Sequence, residues 1–256
     1  MARRSVVKRR LSLLRGDGAR FTPPLRDPLT GWTTLATGIA ICLFLYWRNH
    51  YTNLPMSFDE YNLLNTAMIL WVPMVVLLVF LRREPADFGF AVGEGRTGLI
   101  IAFSAFLLFL PIIILFAPQP GAQSYYIPWL ESSRAISSSF YTGAVLVGEH
   151  IDWSRLAYHE LVMGFYMFGW EFFFRGFLLN GVRRIAPLWV AVLIQAALFT
   201  ALHWSKPLSE VASSFPGAIL MALLAIRCRS FIPCFILHYL ISAGFDGAVL
   251  YYHFHH

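Results

Sequence analysis

The stretch GLIIAFSAFLLFLPIIILFA, residues 98–117, carries no charged side chain over its whole length. A run of about 20 apolar residues is long enough to cross the hydrocarbon core of a bilayer as one α-helix. Comparable runs occupy roughly 31–47, 62–81, 157–182, 187–204, 211–227 and 231–251. None alternates strictly between apolar and polar residues, as the strands of a membrane barrel would. The sequence therefore predicts an all-α, polytopic transmembrane helix bundle of about seven spans.

The composition favours one membrane-embedded chain. Of 256 residues, 57% are hydrophobic and 13% charged, whereas soluble domains are about a quarter charged. The predicted organisation is a basic cytoplasmic tail (1–30), the first three transmembrane helices (31–117), an external loop (118–156) with a candidate interfacial helix at 135–150, a helical core (157–251) and a short tail (252–256).

The basic residues predict the orientation. Net charge is +6, and eight of the 20 Lys and Arg precede residue 31: Arg3, Arg4, Lys8, Arg9, Arg10, Arg15, Arg20 and Arg26. Such a cluster beside a first span is typically cytoplasmic and attracts anionic lipid, which is a better explanation than nucleic acid. An odd number of spans then places the C-terminus outside. The first span lacks a cleavage site and is interpreted as an uncleaved anchor.

Cysteine and histidine usage suggests no cofactor. Cys42, Cys228 and Cys234 lie in or beside apolar runs and show neither metal-ligand spacing nor a disulfide pattern. The closing HFHH (His253, His255, His256) is interpreted as an ordinary tail, with metal binding as the alternative.

Ionisable residues within the apolar runs mark a candidate site. Glu171 and Arg175 lie in GWEFFFRGFLL (169–179), His203 in FTALHW (199–204) and His238 in FILHYLISAGFD (235–246). A charge in hydrocarbon costs about 3 kcal/mol or more and usually has a function. Each group alone has a structural explanation: a buried ion pair, an interfacial histidine, or a helix–helix hydrogen bond involving the polar positions Ser242 and Asp246. Together, on three helices, they predict one converging intramembrane site.

At these residues the sequence resembles the CAAX-processing and bacteriocin-processing (CPBP, Abi-like) intramembrane proteases, which include the eukaryotic Ras-converting endopeptidase. That family shows Glu-Glu-x-x-x-Arg, then Phe-x-x-x-His, then a His followed four residues later by Asn. Here the order and spacing are matched by Glu171 and Arg175, by Phe199 and His203, and by His238 with Ser242. The first glutamate of the family's pair is Trp170, and the Asn position is Ser242.

The resemblance implies a metal-independent, glutamic-type endopeptidase with its catalytic residues in the helical core. Glu171 would be the general base, His203 would share the water, Arg175 would orient Glu171, and His238 with Ser242 would stabilise the oxyanion. Zinc held by Glu171 and the two histidines is a lower-ranked alternative. If the span that begins at 157 were unbroken, Glu171 would lie far deeper below the external membrane face than His203. An interruption at Gly164 or Gly169, with the span beginning nearer 165, would bring the two to the same level. Glu160 would then be interfacial, with a conceivable role in substrate access.

The expected partner is a membrane-anchored protein or peptide with a CAAX-type or C-terminal sorting tail, and the expected location is a bacterial inner membrane. Trp170 leaves open a second function, a catalytically inactive relative that serves as a binding or immunity protein. An ion-coupled transporter is a third hypothesis, weakened by the absence of an internal repeat.

Overall fold

A computed structural model describes residues 26–52, 56–131, 145–147, 150–204 and 206–255, without the side chains of residues 129, 131 and 147. Most of the basic tail, residue Glu149 and the last histidine therefore lie outside the described residues. Within them the chain forms eight long helices, one 3-10 turn (Pro85–Phe88) and one short hairpin. The helices are α1 (Pro28–Tyr51), α2 (Phe58–Phe80), α3 (Gly95–Phe116), α4 (Pro120–Glu131), α5 (Trp153–Glu171, continuing through Phe172–Leu178 and Leu179–Val182), α6 (Leu188–Ala201), α7 (Leu208–Cys228) and α8 (Ile232–His255).

The predicted all-α membrane bundle is confirmed. Helices α1, α2, α3, α7 and α8 are each long and apolar enough to cross a bilayer. Helix α6 is apolar but only 14 residues long, and α5 is long but carries the predicted site charges. These seven helices coincide with the seven predicted spans, with ends displaced by a few residues. Helix α3 leaves Leu107, Leu108 and Leu115 well exposed, which suits a helix surrounded by lipid.

Helix α5 occupies the centre of the bundle. Its segment Phe172–Leu178 is π-helical, a distortion often found at functional sites. Every side chain of that segment is buried, including four phenylalanines. Close packing here depends on small residues: a Cβ added to Gly181 would lie 2.0 Å from the Thr34 hydroxyl of α1. The two site residues Glu171 and Arg175 therefore lie in the fully buried part of α5.

One end of the bundle is tied together by charges. Asp27 accepts a hydrogen bond from Thr30 N at 3.2 Å as the N-cap of α1, and its carboxylate pairs with Arg83 and, at 3.9 Å, with Arg184. Burial raises the pKa of Asp27, but the Thr30 hydrogen bonds and the two arginines outweigh it and leave that pKa below its usual value. Arg227 pairs with Glu94 beside this end.

The predicted external loop has its own structure. It contains α4 and the two-residue strands β1 (Leu146–Val147) and β2 (His150–Ile151), which pair antiparallel. The candidate interfacial helix at 135–150 lies largely outside the described residues, and the described residues at its end belong to this hairpin. The hypothesis of a helix there is wrong for those residues.

Helix α5 runs without interruption from Trp153, with Asp152 as its N-cap. The interruption considered at Gly164 and Gly169 does not occur. Both glycines serve close helix packing instead: an added Cβ would lie 3.3 Å from Tyr239 of α8 at the first and 3.2 Å from Leu70 of α2 at the second.

Candidate active site

The centre of the site is a buried carboxylate held by two helices. Arg175 Nη1 donates to Glu171 Oε1 at 3.1 Å, one helical turn along α5. His238 Nδ1 of α8 lies 2.6 Å from the same oxygen. Glu171 is 0% exposed and Arg175 is 1% exposed. Three of the predicted site residues are thus joined in one hydrogen-bonded group.

The arginine is oriented by an aromatic ring as well as by the carboxylate. Its guanidinium carbon lies 4.4 Å from the centroid of Phe199 on α6, a cation–π contact. Glu171 Oε2, Arg175 Nε and Arg175 Nη2 are buried and have no hydrogen-bond partner among the described residues. Unpaired buried polar atoms are costly and often mark a site of function.

His203 stands beside this group without touching its carboxylate. Its Nδ1 lies 2.8 Å from the Phe199 carbonyl oxygen. Because a carbonyl oxygen only accepts, Nδ1 carries the proton and Nε2 is left as an acceptor. The ring is 5.8 Å from that of Trp170, edge to face, and His203 is 5% exposed.

An open cavity runs past these side chains between α1, α2, α5 and α8. Its polar lining includes Asn49, Tyr61, Trp170, His203, Lys206 and His238. Glu171 and Arg175 do not line it and lie behind His238. A water molecule or a peptide in the cavity therefore meets the two histidines and the tryptophan, but not Glu171 or Arg175.

Trp170 occupies the position at which the family pattern has its first glutamate. It is 6% exposed and packs against Phe174 and Phe199. Its indole Nε1 is buried and has no hydrogen-bond partner among the described residues. Compared with the family pattern, this chain therefore has a buried, unpaired indole N–H donor beside the cavity in place of a carboxylate that can accept a proton.

Ser242 is the predicted site residue that the structure does not join to the others. Within the described residues no hydrogen bond links it to His238, Glu171 or His203. It is half-buried, one turn from His238 along α8. Asp246, two turns from His238, pairs instead with His159 of α5 at 3.7 Å.

A second carboxylate near the cavity was not found by sequence reasoning. Glu210, at the start of α7, pairs with Lys206, accepts from the Tyr126 hydroxyl and lies 3.9 Å from His203 Nε2. The signal in the sequence was the four-residue spacing of Lys206 and Glu210 just after His203. Such a pair is ordinary at the end of a span, so only its burial distinguishes it.

Glu171 and His238 form a hydrogen bond of 2.6 Å, and the same carboxylate oxygen also accepts from Arg175 at 3.1 Å. Glu171, His203 and His238 are residue types that bind zinc, so the zinc alternative stays a prediction for experiment.

Comparison with known proteins bears out the resemblance. Residues 152–244 match the family model described as Type II CAAX prenyl endopeptidase Rce1-like. The match begins at the N-cap of α5, ends within α8 and includes all five predicted site residues. The chain therefore carries an Rce1-like segment, and the predicted CPBP resemblance is confirmed. No curated protein and no solved structure matches the chain significantly.

At the level of the family, this match supports an intramembrane endopeptidase acting on membrane-associated protein substrates. The apolar helices agree with an integral membrane protein.

Proposed function

We propose that this protein hydrolyses a peptide bond of a membrane-anchored protein, without a catalytic metal, using Glu171, His238 and His203. The observation that carries the proposal is the 2.6 Å contact between Glu171 and His238, buried beside a cavity that His238 and His203 line. A carboxylate that receives the Nδ1 proton of a histidine fixes its tautomer and leaves Nε2 free to act as a base.

Burial changes the division of roles expected from the sequence. A direct general base must come within about 3 Å of the water that it deprotonates, and Glu171 is 0% exposed. We therefore assign the water proton to His238 Nε2, with Glu171 stabilising the resulting imidazolium and Arg175 positioning Glu171. His203 Nε2 accepts the second hydrogen of the same water and orients it.

The remaining steps of the hydrolysis use the hydroxide formed from the water and the proton held by His238. The hydroxide attacks the scissile carbonyl carbon, and the carbonyl oxygen becomes an oxyanion. The donor that we assign to this oxyanion is the Trp170 N–H, which is unpaired but buried, so the indole must turn toward the cavity to make the contact. The C–N bond then breaks, and the proton held by His238 passes to the leaving amine. Ser242, which has no hydrogen bond to the group, is given no step.

The substrate that we propose is a protein with a CAAX-type or C-terminal sorting tail. The basis is the family match, together with a site enclosed by membrane-spanning helices. We also propose a bacterial inner membrane and contact between the basic N-terminus and anionic lipid.

The proposal is tested by reconstituting the purified protein in liposomes with membrane-anchored reporter peptides and identifying the cut products by mass spectrometry. His203→Gln should lower kcat by about 10²-fold, the lower end of the effect of general acid–base groups. His253→Gln, a change at an exposed histidine near the end of α8 and outside the cavity lining, is the matched control. A chelator should leave the rate per folded molecule unchanged. Full inhibition of folded protein by a chelator would contradict metal independence.

One observation favours a second function. Trp170 lacks the carboxylate of the family pattern, so an inactive relative that binds the same class of substrate is the alternative. Trp170→Glu separates the two. If Trp170 donates to the oxyanion, this variant should lose about 10²-fold in rate, as expected for a lost oxyanion donor. Cleavage gained by the variant from an inactive wild type would establish the alternative.

The orientation that we propose is a cytoplasmic N-terminus and an external C-terminus. It rests on the basic tail and on the arginines gathered at one end, where Asp27 binds both Arg83 and Arg184. Reporter fusions after Arg83 and Arg184 should report the cytoplasm, and a fusion after His255 should report the outside. A cytoplasmic report from the last fusion would contradict seven crossings.

A further inference from the structure

A second group of metal-ligating side chains joins α5 to α8, away from the candidate active site. His159 and Glu160 lie on α5, and Asp246 lies on α8. One donor atom from each lies within 4.8 Å of the others. Among the described residues, this is the one grouping of three or more His, Cys, Asp or Glu at such distances.

Two donors in the group are buried and unsatisfied. His159 Nε2 and Glu160 Oε2 have no hydrogen-bond partner among the described residues. His159 is 5% exposed, and its Nε2 points toward Asp246 Oδ2 at 3.7 Å. The ring is stacked on Phe58 at 4.7 Å between centroids, which fixes its direction. An unsatisfied buried polar atom destabilises the folded protein, and a bound ion would remove that penalty.

The two carboxylates of the group also favour the binding of a cation. Glu160 and Asp246 place two carboxylates together, and within the described residues no Lys or Arg forms an ion pair with either. Among the described residues, the His159 imidazole is the one basic group that pairs with Asp246. A divalent ion would neutralise both carboxylates and bind the neutral imidazole.

We propose that His159, Glu160 and Asp246 bind a divalent first-row transition-metal ion, with Zn²⁺ as the representative. One imidazole nitrogen and two carboxylate oxygens suit such an ion. Calcium prefers six to eight oxygens and suits the group less. Donors on one zinc stand about 3.4 Å apart, so the 3.7 Å between His159 and Asp246 needs to close by only a few tenths of an ångström.

The ion fastens the two helices that carry the catalytic pair. Glu160 precedes Glu171 by 11 residues, about 16 Å along α5, and Asp246 follows His238 by eight residues, about 12 Å along α8. The metal therefore lies too far from the pair to take part in hydrolysis. Its effect is on the stability of the folded protein, because it joins α5 to α8 at a distance from the catalytic pair.

The test uses full-length protein in detergent, in which His253, His255 and His256 are changed to glutamine so that the terminal histidines cannot bind metal. After treatment with a chelator and dialysis, titration with Zn²⁺ should give one ion per chain and raise the unfolding temperature. Asp246→Asn and His159→Gln should each weaken binding by about 10²-fold or more, since even changes behind metal ligands cost 10–100-fold. Glu84→Gln and His50→Gln, at exposed positions, are the matched controls.

A second measurement is needed if a variant does not fold. X-ray absorption at the zinc edge is therefore recorded on zinc-loaded protein that keeps His159, Glu160 and Asp246. It should show nitrogen and oxygen neighbours, the scattering of one imidazole and no sulfur. Stoichiometric binding that survives both ligand variants, two or more imidazoles, or sulfur ligation would overturn the proposal, as would absence of binding at micromolar Zn²⁺. None of these readouts depends on proteolysis, so the metal site and the proposed function can fail separately.

Discussion

Glu171→Gln will lower kcat by about 10²–10⁴-fold and leave KM nearly unchanged, because His238 loses the carboxylate that supports it as general base, and loss of general acid–base catalysis has effects in this range. The amide keeps the size of the side chain and can still accept a hydrogen bond from His238 Nδ1. It carries no charge, so it cannot stabilise the imidazolium that forms when His238 takes the proton. The NH₂ group of the amide cannot accept a hydrogen bond, so it cannot replace a carboxylate oxygen beside the Arg175 and His238 donors. The measurement is steady-state cleavage of the reporter peptide, normalised to folded protein.

A double variant decides whether Glu171 acts through His238. Residues that act as a unit show strongly non-additive effects. Glu171→Gln combined with His238→Gln should therefore be no slower than His238→Gln alone. Independent, multiplying losses would point to Glu171 acting directly on water with His203. Glu84→Gln, at an exposed position, is the matched control, and full processing by Glu171→Gln would end both mechanisms.

The spans and the polar site residues could be predicted from the sequence for one physical reason. Hydrocarbon tolerates few charges, so long apolar runs identify the helices, and the exceptions within them, such as Glu171 and His238, identify the candidate site. The same reasoning predicts α5 as a span, although it is not among the five described helices that are long and apolar enough to cross a membrane.

The contacts of the site could not be predicted, because they depend on how helices turn toward each other. Sequence spacing placed Glu171 and Arg175 on one face but did not show that His238 would bind the same oxygen. Glu210 and Lys206 looked like ordinary residues at the end of a span, and only packing shows them beside His203. Gly164 and Gly169 suggested an interruption of α5, whereas they permit close contact with Tyr239 and Leu70.

Arg175→Met will destabilise the folded protein by about 3–5 kcal/mol, the usual cost of removing one partner of a buried ion pair. The carboxylate of Glu171 would remain fully buried, with His238 as its one hydrogen-bonding neighbour among the described residues. Methionine fills much of the space of the arginine and keeps apolar contact with Phe199, so lost packing contributes little. Unfolding in a denaturing detergent or by heat, and the yield of folded protein, measure the effect. Arg96→Met, at an exposed position on α3, should change neither.

A second variant tests whether this destabilisation comes from the Glu171 carboxylate that is left without its arginine. If the cost arises from an unpaired carboxylate, Glu171→Gln in the Arg175→Met background should recover most of the lost stability, giving a coupling energy of several kcal/mol. Replacing a whole buried pair by neutral groups is often close to neutral in stability. A double variant as unstable as Arg175→Met alone would instead assign the role of Arg175 to its contact with Phe199, at 4.4 Å from the ring centroid. In either case the double variant should not cleave the reporter, because the carboxylate that supports His238 is gone.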